Sequence, residues 1–259
     1  MKAAEFLPCF PPNPVFHLPL HAYTIWIMSE RVDHLPASAA LARETVLLGA
    51  VSADPAQRYL WYWDSPRALV MPKKLAAKPQ FEAAAVASRA RGWPVEVRST
   101  GGDVTPQGPG VVNVTHVYAA PPARTFDLDQ EYGRLCAPIE AALGVGAARG
   151  WMPGAFCDGA HNVQFQGKKF AGTAMRFRPC RGDKSRYAVL AHALLLMDPP
   201  EAGAIDAINL FLADLGEDRE IDPATHTGLP KSLSRADFLD RLAAAFASDS
   251  ELVDQAARP

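Results

Sequence analysis

Cysteine is scarce, and its four copies, Cys9, Cys136, Cys157 and Cys180, never fall into C-x-x-C spacing. Those separations fit neither a zinc ribbon nor a dense disulfide framework, which points to a reducing compartment. No sign of charge dominates. The 26 basic and 28 acidic residues leave a net charge of -2, and the basic residues form no stripe, so the electrostatic footprint of a nucleic-acid binder is missing. Long apolar runs are missing as well. The uncharged stretch 7–29 is broken by Pro8, Pro11, Pro12, Pro14 and Pro19, and the run Tyr187 to Met197 is too short to span a bilayer and contains His192. The chain therefore reads as cytoplasmic, without a membrane or nucleic-acid partner. Nor is there a P-loop, a dinucleotide fingerprint, a traceable Ser-His-Asp arrangement or a metal site of recognisable spacing.

What the chain does have is 259 residues, 49% of them hydrophobic, enough for one sizeable core. Ser38 to Val51 is rich in helix formers without proline. Trp61-Tyr62-Trp63 and Ala68 to Met71 read as short strands stopped at Pro66 and Pro72. Gln80 to Arg91 reads as a helix closed by Gly92, and Val95 and Val97 alternate with Glu96 and Arg98 as in a strand. Val111, Val112 and Val114 announce another strand. Tyr132, Leu135, Ile139 and Leu143 lie at helical spacing, with a kink expected at Pro138. Val163 to Gln166 and Lys169 to Arg178 predict a hairpin turning at Gln166-Gly167, Tyr187 to Met197 a buried strand, and Ile205 to Leu215 a helix. A capping box at Ser234 and Asp237 opens a last helix carrying Phe238, Leu242 and Phe246. Interleaved helices and strands favour α+β over a doubly wound sheet. We expect one catalytic domain over 1–259, with an extended arm at 1–30 and C-terminal helices within 200–259.

Three segments carry chemistry. In RSTGGDVTPQGPG, Arg98 to Gly110, the glycines Gly101, Gly102, Gly108 and Gly110 let backbone amides approach a phosphate or carboxylate, and Arg98 adds a fixed charge at a strand end; an ordinary hairpin loop would use glycine equally well. In GKKFAGTA, Gly167 to Ala174, a lysine beside a tight small-residue turn is placed to stabilise developing negative charge. Considered alone, Lys168 and Lys169 read as solvated hairpin charges. The loop MPGAFCDG offers Cys157 as an exposed thiol nucleophile, although an isolated cysteine is more often a small buried hydrophobe. Cys136 belongs to a helical apolar stripe, His161 is a possible base, and His192 on an apolar strand reads as a hydrogen-bonded core histidine.

Together, RSTGGDVTPQGPGVVN at Arg98 to Asn113, FCDGAHNVQFQGKKFAGTAMRF at Phe156 to Phe177 and the strand AVLAHALLLMD resemble the lipoate-protein ligase A and octanoyltransferase family, from about Ser38 to about Phe246. The resemblance implies the biotin/lipoate ligase catalytic-domain fold, a mixed, largely antiparallel sheet flanked by helices, and a tunnel for a medium-length acyl chain. It matches Lys169 to the family's catalytic lysine, with Gly172, Thr173 and Ala174 completing the K-x-x-G-x-A turn. Arg98, Gly101 and Gly102 match the acyl and adenylate pocket, Asn113 the asparagine closing the first motif, and Gln107 joins them on the substrate side. The implied activity attaches lipoyl or octanoyl groups to a lysine of lipoyl-domain proteins through an acyl adenylate, with ATP and Mg as cosubstrates and lipoate or octanoate as substrate.

Some residues depart from the ligase pattern. Pro106 and Gln107 stand where ligases commonly carry histidine, Met175 replaces a glutamine, and Val70-Met71-Pro72 lacks a glycine-arginine pair, which weighs against ATP. No further domain of about 90 residues follows, which would suit an octanoyltransferase or a ligase working with a separate accessory protein. One branch of the family carries the acyl group on a cysteine upstream of the motif lysine, and Cys157 lies twelve residues before Lys169. The alternatives are thus an ATP-independent transferase using Cys157, fed by acyl carrier protein or another acylated protein, or a non-catalytic lipoate-binding protein.

Overall fold

The computed structural model describes residues 16–17, 25–27, 32–120 and 126–248. In chain order the elements are β1 (Phe16–His17), β2 (Ile25–Ile27), β3 (Asp33–His34), α1 (Ala37–Ala53), β4 (Arg58–Asp64), β5 (Ala68–Pro72), α2 (Lys73–Ala76), α3 (Phe81–Ala90), β6 (Val95–Arg98), β7 (Thr105–Gln107), β8 (Val111–Ala119), α4 (Leu128–Leu143), β9 (Ala147–Arg149), β10 (Val163–Phe165), β11 (Lys168–Cys180), β12 (Asp183–Leu196), α5 (Ala204–Asp214) and α6 (Arg235–Ala247). Apart from β1 and β2, the proline-rich arm and Cys9 lie outside the described residues.

The main sheet runs β1-β2-β4-β8-β12-β11-β10-β9, with β3 also on β4. It is antiparallel from β4 to β9, and β2 and β3 join β4 in parallel. A smaller sheet, β6-β5-β7, has one parallel and one antiparallel pairing. The fold is thus α+β, as the interleaved pattern implied, with the mixed, largely antiparallel sheet that the family resemblance implied.

Every residue of β8 is buried because the main sheet is covered on both faces, which explains a valine-rich run in place of alternation. The pleat sorts the side chains. On one face Leu60, Tyr62, Val112, Val114, Val189 and Leu195 pack against Leu135 and Ile139 of α4 and Phe238, Leu242 and Phe246 of α6. On the other, Trp61, Trp63, Val117 and Leu190 meet Leu47, Leu48 and Val51 of α1, while Leu194 and Leu196 meet Ile208, Phe211 and Leu212 of α5. His192 shares the face of Leu190 and Leu194, so it points toward α1. The β10–β11 hairpin turns through Gln166 (φ 51) and Gly167 (φ 76), the left-handed pair a two-residue turn requires. Ser234 caps α6 by accepting the Asp237 N–H at 3.1 Å.

Candidate active site

The cavity floor consists of cross-strand rows on the α1 side of the main sheet. Register aligns Gly172, Leu194, Asn113 and Trp63 across β11, β12, β8 and β4, and the next row on that face aligns Ala174, His192, Thr115 and Trp61. The smaller sheet supplies the roof through Val70 of β5, Arg98 of β6, and Thr105 and Gln107 of β7. Leu41 of α1 and Cys157 close the sides around about 380 Å³ of empty space, part of it open to solvent. A second cavity, of about 470 Å³, lies beyond Cys157, Thr173 and Ala174, which line both; Gly101, Gly102, His161 and Met175 also face it.

Cys157 sits on this dividing wall in a left-handed conformation (φ 46). It is 7% exposed, against the expected exposed thiol, because its sulfur is turned inward under the glycine loop. The Asp103 N–H donates to Sγ at 3.2 Å, and Arg98 Nη2 lies 3.9 Å away. Gly102 makes the approach possible: a Cβ there would come within 2.7 Å of Sγ and 2.9 Å of Arg98 Nη2. Gly101 has nothing within 4 Å of the equivalent position.

Arg98 is buried, with Nη1 donating to the Val70 carbonyl at 2.9 Å, Nε and Nη2 to the Gly101 carbonyl at 3.1 and 2.8 Å, and Nη2 also to the Asp103 carbonyl at 2.6 Å. Burial lowers its pKa, opposed by Cys157, Asp103 and Glu44. The guanidinium thus holds the loop 98–103 folded over the sulfur.

Lys169, far from a solvated hairpin charge, is 0% exposed, whereas Lys168 beside it is exposed. Its Nζ donates to the Phe156 carbonyl at 2.5 Å, the Cys157 carbonyl at 2.9 Å and Asn162 Oδ1 at 2.9 Å. Burial pushes its pKa down to about 8, while Cys157, Asp158 and Asp103 oppose the fall. The expected turn at this motif is instead strand, and a Cβ on Gly172 of β11 would stand 3.2 Å from Nζ, so the glycine leaves room for the ammonium. Arg98 and Lys169 therefore converge on one residue, Arg98 at the Cys157 sulfur and Lys169 at its carbonyl.

The remaining site residues foreseen in the sequence fall nearby with other partners. Gln107 and Asn113 face each other as a closed amide pair, Nε2 to Oδ1 at 3.1 Å and Nδ2 to Oε1 at 2.8 Å, on the cavity wall. Thr173 donates to the His161 carbonyl at 2.8 Å, and His161 stacks on Tyr132 with ring centroids 3.9 Å apart. Cys136 is buried in α4 and Cys180 at the end of β11.

Several contributors escaped the sequence reading. His192 is hydrogen-bonded, as expected, to Glu44 at 3.0 Å and to Thr100 at 3.0 Å, yet it also lines the cavity. Glu44 further accepts from Thr115 at 2.7 Å. His226 stacks on Phe156 at 4.5 Å, and its Nε2 accepts the Phe156 N–H at 3.3 Å. Burial and the charge of Lys169 hold its pKa down at about 4, so the ring is neutral, as an acceptor must be. Nothing local marked Glu44, Asn162 or His226, which reach the site only through tertiary contacts. Among the described residues, no three His, Cys, Asp or Glu side chains gather as a metal centre would require, and no helix is long and apolar enough to cross a membrane.

Residues 36–247 match the family model described as the lipoyl protein ligase A/B catalytic domain. An octanoyl-[GcvH]:protein N-octanoyltransferase of Kyrpidia tusciae is 35% identical over 147 residues, 53% of this chain and 49% of its own length. An uncharacterized protein of Cupriavidus necator is 33% identical over 172 residues, covering 62% of this chain and 68% of that one. The chain spans about half the length of the named octanoyltransferases it matches. Among solved structures, lipoate-protein ligase A bound with ATP superposes with a TM-score of 0.62 at 14% identity, over 85% of this chain and 84% of the other. The bi-partite lipoate protein ligase of Thermoplasma acidophilum does so at 0.59 and 14%, over 85% and 82%. At such identities these structures establish the fold alone.

Proposed function

Given that the chain belongs to the lipoyl protein ligase A/B catalytic-domain family, an enzyme family, we propose that it transfers an octanoyl or lipoyl group to a lysine of a lipoyl-domain protein by way of a thioester on Cys157. The observation that carries this reading is the placement of Cys157 Sγ on the wall between two cavities, facing a backbone N–H and a buried guanidinium. Three relatives bear a name stating octanoyl transfer from GcvH to protein, which agrees with it.

In the first step the Cys157 sulfur attacks the carbonyl carbon of the acyl donor. A sulfur–carbon bond forms, and the donor's thiol or amine leaves with its bonding pair and takes up a proton. The Asp103 N–H donates to the sulfur and the Arg98 guanidinium stands 3.9 Å from it, so a donor and a fixed positive charge are held beside the reacting atom as negative charge develops there. The neutral amine of the acceptor lysine then attacks the thioester, an amide bond forms, and the Cys157 sulfur leaves with the pair it had shared and takes up the proton the amine releases. Lys169 acts on the loop: its ammonium ties the Phe156 and Cys157 carbonyls to Asn162 and keeps the sulfur aimed.

The adenylate route fits these residues less well. Binding a triphosphate calls for cations with donors to offer, yet the three N–H bonds of Lys169 meet three acceptors, and Arg98 has four of its five N–H bonds on backbone carbonyls. No step here runs through ATP or Mg.

The test is to incubate the protein with an octanoylated donor without ATP and follow it by intact-mass spectrometry. The expected result is an octanoyl adduct mapped to Cys157, lost in Cys157→Ala, and chased onto a lipoyl domain. Normal transfer by Cys157→Ala, or pyrophosphate exchange dependent on lipoate, would instead support the ligase. Lipoate binding without turnover on any lipoyl domain would support a non-catalytic binder.

A further inference from the structure

Beside the reaction cavity lies a wider groove with about 1320 Å³ of empty space, part of it open to solvent, between α1, the strand β6 and the outer half of β11. It shares Leu41 with the cavity, and its wall includes Val97 and Ser99, the two neighbours of Arg98. Its charged lining is Lys73, Arg176 and Arg178 against one carboxylate, Glu96, whose pKa burial raises. The imbalance continues past the groove. Residues 176–186, the outer end of the β11–β12 hairpin, hold five basic residues, Arg176, Arg178, Arg181, Lys184 and Arg186, and one acidic residue, Asp183.

Many of the cations elsewhere on the protein are neutralised locally. Arg43, Arg67, Lys78, Arg91, Arg149, Arg219 and Arg235 each stand within 4.0 Å of a carboxylate. None of Lys73, Arg176, Arg178, Arg181 and Lys184 makes such a pair among the described residues, and all five are exposed. Arg176 makes one polar contact, to the Ser99 carbonyl at 3.1 Å. A chain with a net charge of -2 thus concentrates unneutralised positive charge at the end of a hairpin whose strand β11 also lines the reaction cavity.

We propose that this basic groove and hairpin end dock the acceptor domain, through carboxylates that flank the lysine to be acylated. The inference rests on the acyl-transfer reading and adds how the acceptor is recognised. A domain that delivers a lysine to the cavity must cover the surface around its mouth, and the basic groove, which shares Leu41 with the cavity, is part of that surface. Complementary charge of that kind raises the encounter rate and fixes orientation, and its effect fades with salt. A patch of eleven hairpin residues on an acidic chain is too local to track a nucleic-acid backbone.

The experiment is calorimetric titration of the full chain with a recombinant lipoyl domain of acidic net charge, without any acyl donor. The charge-reversal variant Arg178→Glu/Arg181→Glu/Lys184→Glu should bind roughly tenfold or more weakly, and wild-type affinity should fall as salt rises. Acylation of Cys157 from a small soluble octanoyl thioester should stay within about twofold of wild type in the variant, since rim charges act on encounter and not on the sulfur. Unchanged affinity for the domain on charge reversal overturns the docking surface. So does tighter binding of duplex DNA than of the domain. Because binding is read without turnover, a protein that docks the domain but never acylates Cys157 defeats the acyl-transfer reading alone, and one that acylates Cys157 with binding indifferent to the hairpin defeats only this inference.

Discussion

Lys169 has as many buried acceptors as an ammonium has protons, so the charged form is the one its surroundings hold. Burial nevertheless drags its pKa down to about 8, close enough to working pH for the proton to be lost in an ordinary titration. Below that value the ammonium satisfies the Phe156 and Cys157 carbonyls and Asn162. Above it the neutral amine retains two N–H bonds and leaves one acceptor bare, in a buried setting where an unmade hydrogen bond costs about 1–3 kcal/mol. We therefore expect Cys157 acylation to fall as pH passes about 8, a descending limb that belongs to Lys169. Lys169→Met, which keeps the stem and removes the charge, should abolish the descending limb and slow acylation at pH 7 by about 100-fold, from the loss of several such bonds. A rate that still climbs beyond pH 9 in the wild type, or a fast Lys169→Met enzyme, would show that the ammonium does not hold the loop.

The loop from Arg98 to Gly110 separates two glycines that look alike in the sequence. Gly102 has φ +92 and would drive a Cβ into the Cys157 sulfur and the Arg98 guanidinium, whereas Gly101 faces open space. Gly102→Ala should lower Cys157 acylation by about 100-fold or more, as a shift of roughly 1 Å at a reacting group does, and Gly101→Ala should leave it within about threefold. Equal rates in the two variants, measured by the appearance of the octanoyl adduct, would refute the close approach. Elements of this kind mark how far the sequence could be read. The long helices, the β10–β11 hairpin at Gln166-Gly167 and the Ser234 cap were legible because each rests on local periodicity or turn chemistry. The strands Thr105–Gln107 and Ala147–Arg149 were not, since three residues carry no period and exist through their neighbours. Within the site, Arg98, Lys169 and the glycines stood out as motifs. The Lys169 burial did not, because a lysine in a hairpin is normally solvated, and its three acceptors come from the Phe156 and Cys157 carbonyls and from Asn162, folded over it. His192 was recognisable as a bonded core histidine but not as cavity lining, which depends on the register bringing it beside Ala174 and Thr115.

At the scale of the whole molecule, two histidines tie distant parts of the chain together, and both do so as neutral acceptors. Arg58 of β4 donates through Nε to His116 Nε2 at 2.8 Å and through Nη2 to the Phe246 carbonyl at 2.9 Å, joining the sheet to the last turn of α6. His226, from the segment before α6, accepts the Phe156 N–H, while the Thr227 N–H donates to the Lys169 carbonyl at 2.9 Å. The pKa of His116 lies well below its ordinary value through burial and the charges of Arg58 and Arg134, and that of His226 is held at about 4. In the unfolded chain both rings would take up protons near pH 6.5, whereas in the folded protein neither does until the pH is far lower. The unfolded state thus binds the additional protons, and stability must decrease as pH drops from about 6.5 toward 4. Each histidine contributes at most about 1.4 kcal/mol per pH unit inside that window. Urea unfolding at pH 7, 6 and 5, above the range where most carboxylates titrate, should show the midpoint falling between 6 and 5 while the m-value stays constant. His226→Gln, which keeps a neutral acceptor that cannot titrate, should flatten part of that fall. A stability independent of pH across this interval in the wild type would mean that the two rings are protonated in the fold, and that the contacts joining α6 and the Phe156 loop to the sheet are not those described.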